Sequence, residues 1–69
     1  MKVTKEQNPH GVAKGQNWQV NDSRRLGVFT VVRVFIDDGE AVAEVYRESS
    51  GKNSIIRLRR FNKYIPLRN

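Results

Sequence analysis

The sequence predicts an all-β domain: five short antiparallel strands rolled into a small half-open barrel, preceded by a flexible N-terminal arm. Three observations carry this. Residues 28–36, Val-Phe-Thr-Val-Val-Arg-Val-Phe-Ile, are nearly all β-branched or aromatic. Two turn signals, Asp37-Asp38-Gly39-Glu40 and Ser50-Gly51, separate that run from two further alternating stretches. Apolar residues nowhere recur at helical spacing for long enough to build a helix.

Residues 1–13 read as the arm, since Gln7, Asn8, Pro9, His10 and Gly11 are polar or turn-forming and carry no periodicity. Lys14-Gly15-Gln16 is a turn, and 16–20 is a short strand bearing Trp18. Residues 21–27 form a polar loop with Arg24 and Arg25, closed by Gly27. After the strand at 28–36, Asp38-Gly39 supplies a hairpin tip that tolerates positive φ. Strands follow at 41–47 and 54–60, joined through the Ser50-Gly51 turn. One turn of tight helix at Phe61-Asn62-Lys63 leads to a short fifth strand at 64–67, which Pro66 restricts to a sheet edge.

The two tips set a register. With Asp38-Gly39 at the first, Ile36 faces Ala41, Val34 faces Ala43 and Val32 faces Val45; with Ser50-Gly51 at the second, Val45 faces Ile56 and Ala43 faces Leu58. The expected core row is therefore Val32, Val34, Ile36, Ala41, Ala43, Val45, Ile56 and Leu58, uniformly apolar. The opposite face carries Val31, Arg33, Phe35, Val42, Glu44, Tyr46, Ile55, Arg57 and Arg59, with Glu44 between Arg33 and Arg57 as a charge ladder. A three-stranded meander has open edges and one bare face, so the strands of Trp18 and Tyr64 are expected to close over the core, with Trp18 and Phe61 as plugs. Five strands with a loose first loop and two tight turns describe an SH3-like barrel; an OB-type barrel and a meander completed by dimerisation are the alternatives.

The pattern Gly15-Gln16-x-Trp18-x-x-Asn21-Asp22-x-Arg24, then Gly27, Val31 and Val34, Gly51, and Ile56-x-Leu58-Arg59-Arg60-Phe61 resembles a family of small uncharacterised proteins of actinobacteria and their phages. It also resembles the wider class of KOW and Tudor-type SH3-like barrels. The resemblance spans residues 14–61 and implies the barrel fold, without an activity. The chain departs from the family after Phe61, where Asn62-Lys63-Tyr64-Ile65 replaces a Thr/Ser-rich turn and a Gly-Tyr strand. The wider class includes many RNA-, DNA- and ribosome-associated modules, an analogy at the level of fold.

Composition narrows the function. The chain has 69 residues, no Cys and one His, which excludes a disulfide framework, a Cys-ligated zinc site and thiol catalysis. No apolar run approaches the ~20 residues that span a bilayer, and no signal peptide is apparent, so a cytoplasmic location is expected. The formal net charge of +6 is unevenly spread: residues 1–36 carry net +4, residues 37–48 net −4, and residues 49–69 net +6, the last with six bases and no acid.

Catalysis finds no foothold. His10 lies alone in the arm, whereas a general base needs a held geometry and a metal needs convergent ligands. Asp37 and Asp38 serve the hairpin tip. Ser49-Ser50-Gly51-Lys52 lacks the glycine spacing and helix of a phosphate-binding loop. The expectation is a non-enzymatic binding module without cofactor, metal or small-molecule substrate.

Nucleic acid is the expected partner, gripped at its phosphate backbone by Arg24, Arg25, Lys52, Arg57, Arg59, Arg60 and Lys63, with Tyr46 as a neighbouring ring. The bland counterpart has Arg57 consumed by Glu44 and Arg59 lying as a packed stem over Val42 and Phe35. The alternative function is a protein-interaction adaptor or homodimer using Val31, Phe35, Val42, Tyr46 and Ile55, because that outer face is unusually apolar for a solvated sheet.

Overall fold

The computed structural model describes residues 3–20 and 27–67. Five strands, β1 (Asn17–Val20), β2 (Val28–Asp37), β3 (Glu40–Arg47), β4 (Lys52–Arg57) and β5 (Tyr64–Leu67), form one antiparallel sheet in the order β4-β3-β2-β1-β5. A 3-10 helix, η1 (Leu58–Lys63), carries the chain from one edge strand to the other. The outer strands β4 and β5 are not hydrogen-bonded to each other, so the sheet is not closed. Among the described residues no helix is long and apolar enough to cross a membrane.

The first hairpin forms as its turn residues dictate. Asp38 and Gly39 adopt φ of 50° and 77°, the left-handed pair that matches strand twist, between Asp37 and Glu40. Ile36↔Ala41 and Val34↔Ala43 follow in the expected register. Beyond them a bulge intervenes. Val31 pairs with Val45 and Arg33 with Glu44, leaving Val32 without a partner. The bulge reverses the facing of everything before it, so Phe29 and Val31 turn inward while Val34 and Ile36 stay inward. Val31 is only 1% exposed, which corrects its expected place on the outer face. Val31, just before the inserted residue, is also bound from the side away from β3: the Gly15 N–H donates to its carbonyl and its own N–H donates to the Gln16 carbonyl, each at 2.9 Å.

The second hairpin is looser than expected. Arg47 pairs with Lys52 across four loop residues, and the Ser50 and Gly51 N–H groups both donate to the Arg47 carbonyl. A two-residue tip would put Ser50 at positive φ; the structure places only Gly51 there, at 68°. The register moves by two, so that Ala43 faces Ile56 and Val45 faces Ser54 rather than Leu58 and Ile56. A shift of two preserves which side each residue faces, and Ile56 remains buried. β4 ends at Arg57, and residues 58–60, expected in the strand, begin η1 instead.

In a 3-10 helix side chains three apart eclipse, so Leu-Arg-Arg-Phe-Asn-Lys divides into three ridges. Leu58 and Phe61 form the buried ridge. Phe61 meets Trp18 edge-on at 5.0 Å and 88°, and Phe29 and Tyr64 complete the cluster with further edge-to-face contacts. Trp18 and Phe61 thus plug the core as expected, together with Val31, Ala41, Ala43, Val45 and Ile56.

Val12 also lies in this core, and Val3 packs against it, so the packed unit extends past the boundary expected at residue 13. Asn8 holds Val12 in place: its Oδ1 accepts from the Val12 N–H at 2.9 Å and its Nδ2 donates to the Val12 carbonyl at 2.8 Å. The Gln16 side chain ties the same segment to β1. It accepts from the Ala13 N–H and the Trp18 indole and donates to the Gly11 carbonyl.

Candidate nucleic-acid interface

The cations of the last third do not lie along one strand; those among the described residues come from two elements, β4 and η1. Arg57 ends β4, opposite Val42. Its Nε lies 3.1 Å from Glu40 Oε2, while Arg59 Nε, one residue into η1, lies 3.3 Å from Glu40 Oε1. Glu40 therefore holds both, and Arg57 does not reach Glu44. The two-residue register shift explains this, since it sets Ile55 rather than Arg57 opposite Glu44. Glu44 instead accepts from Arg33 Nε at 2.6 Å and from Asn53 Nδ2 at 2.7 Å. These two hydrogen bonds, Asn53 first, hold the Glu44 carboxyl below its ordinary range.

Arg60 and Lys63 form the third ridge of η1, both exposed. Lys52 stands directly opposite Arg47, a like-charged cross-strand pair. Among the described residues none of these four cations has a carboxylate within ion-pair distance. Arg47 was not singled out from the sequence, where it is the lone base of an acidic block. Strand alternation puts it on the core side two residues beyond Val45, where its guanidinium lies 5.8 Å from the Phe29 ring centre.

Arg47, Arg57 and Arg60 line one open groove of about 700 Å³ that runs along the free edge of β4, with Ser54, Ile56 and Tyr64 in its wall. Asp37, Asp38 and Glu40 line it as well. The groove thus has basic and acidic parts, and an extended anion is favoured beside the arginines and repelled by the hairpin tip.

The remaining expected residues fall elsewhere. Tyr46 lies between Thr30 and Asn53, six residues along β3 from Glu40, roughly 20 Å at strand rise. It is not part of the Arg57–Arg59 cluster. Arg24 and Arg25 lie outside the described residues. Of the alternative apolar surface, Val31 is in the core, Val42 is buried in its row between Phe35 and Arg57, and Phe35 is half-buried with the Arg33 guanidinium 4.3 Å from its ring centre. Ile55 at 52% and Tyr46 at 38% exposure remain open, joined by Val28 at 46% and Ile65 at 44%, which the sequence reading did not include. Compared with known families, curated proteins and solved structures, the chain matches none.

Proposed function

We propose that this chain is a small SH3-like binding module, without catalytic activity, that takes nucleic acid by its phosphates in the cytoplasm. The strand order β4-β3-β2-β1-β5, with a 3-10 helix ahead of the last strand, supports the SH3-like reading, as does the motif resemblance. The observation that carries the function is the convergence of Arg47, Arg57 and Arg60, from three separate elements, on one open groove. Beside it, Arg47 and Lys52 are held opposite each other against their mutual repulsion, an arrangement that an incoming anion relieves. Lys63 extends the same positive surface along η1.

Phosphate neutralisation makes such binding steeply salt-dependent. Titration of labelled DNA and RNA at about 50 mM and about 200 mM salt tests the proposal, with micromolar binding at the lower salt lost at the higher. Absence of binding at low salt removes it.

A second reading has its own observation. Val28, Tyr46, Ile55 and Ile65 stand exposed on four strands of the sheet, apolar side chains that a contact between copies or with another protein would use. Sedimentation of the purified chain addresses the homodimer, which a single monomeric species would end.

A further inference from the structure

Proteins specialised for single strands offer exposed aromatic faces on which bases can stack, whereas the groove and the ridge beside it hold one ring among the described residues, the half-buried Tyr64. Phe29 and Phe61 are buried, and Tyr64 packs in T-shaped contact with both of them. The exposed ring of Tyr46 lies at the far end of β3, away from Glu40 and its arginines.

What the surface offers is positive charge. Arg60 and Lys63 eclipse each other on η1, separated by about three residues of 3-10 rise, ~6 Å. The same helix is anchored by Leu58 and Phe61 in the core, so the backbone that carries the ridge is held from below. A duplex presents one charge per ~1.7 Å of axis with both strands counted, in a regular array, and single strands release fewer counterions per contact. A pair of cations on an anchored helix, with only a half-buried ring beside it, gains most from the denser and more regular array.

We propose that the nucleic acid bound by this surface is a duplex, held through phosphates by the Arg60–Lys63 ridge and Arg47, with no base stacking. The inference rests on the nucleic-acid reading and adds the form of the ligand.

The test is anisotropy titration of one labelled duplex and each of its two constituent strands, at equal salt, with the native chain and with Lys63→Ala, Arg60→Ala and Tyr46→Ala. The duplex is expected to bind roughly tenfold more tightly than either strand. Lys63→Ala and Arg60→Ala should each weaken duplex binding and lower the salt slope by about one, while Tyr46→Ala changes nothing. Single strands that match the duplex, or lose affinity with Tyr46→Ala, overturn the duplex inference and leave nucleic-acid binding standing. Binding to neither form removes both.

Discussion

Arg57 pairs with Glu40 rather than with Glu44, its Nε 3.1 Å from Oε2. The same carboxylate takes Arg59 on its other oxygen, so one negative charge restrains two guanidiniums at the border of the cationic surface. Glu40 both orders these arginines and competes with any phosphate that approaches them.

Replacing it separates the two effects. Glu40→Gln is expected to tighten nucleic-acid binding by about threefold or more at low salt, because a repelling charge leaves and two cations are released. The ion pairs are exposed, so the loss of stability stays below ~1 kcal/mol. Titration and urea denaturation of the same variant measure both. Weaker binding would mean that Glu40 serves chiefly to position Arg57 and Arg59.

Glu44 contributes a pH dependence. Its carboxyl is held below the ordinary value of 4.5 by the hydrogen bonds from Asn53 and Arg33. A depressed folded-state value favours the folded chain wherever the carboxylate is ionised in both states, above the ordinary value. That contribution fades as pH falls through the lower, folded value. Thermal melts taken from neutral pH downward should show Tm falling below pH 4.5 more in the native chain than in Glu44→Gln. Parallel curves would show that the Arg33–Glu44–Asn53 bridge adds nothing at this exposed site.

Phe61 is the inner anchor of η1 and touches three other rings. Phe61→Ala removes the ring from the centre of the core and costs about 3–5 kcal/mol. For a chain this small, that is a large part of the whole stability. Denaturant unfolding followed by Trp18 fluorescence should show a midpoint near zero denaturant. A loss below ~1 kcal/mol would place the weight of the core elsewhere.

Strand identity and facing were legible wherever polar residues marked the phase. Arg33 and Asp37 bracket Val34 and Ile36, and that part of β2 lies as alternation requires. Val31-Val32 carries no such mark, since either valine satisfies an apolar row, and the bulge sits there unseen. The second tip was misplaced because Ser50-Gly51 looks like a two-residue turn while its backbone spans four. That error of two residues kept every side chain on its side yet moved Arg57 from Glu44 to Glu40. Electrostatic partners therefore depend on register more finely than burial does. Of the candidate site, Arg57, Arg59, Arg60, Lys52 and Lys63 were legible as charge. Arg47 was hidden by its nearest acidic neighbours in sequence, of which Glu44 lies on the other face of β3 and Glu48 in the adjoining loop.

The segment before residue 14 supplies the last test, because no periodicity announced that Val12 is a core residue. Asn8 meets both backbone groups of Val12, and Gln16 secures Gly11 and Ala13 on either side. Asn8→Ala leaves the Val12 N–H and carbonyl without these partners in a partly buried position, at a cost of about 1–2 kcal/mol. The Val12 amide should exchange slowly with solvent in the native chain and markedly faster in the variant, with Tm lowered. Fast exchange at Val12 in the native chain would detach this segment, Val3 and Val12 included, from the core.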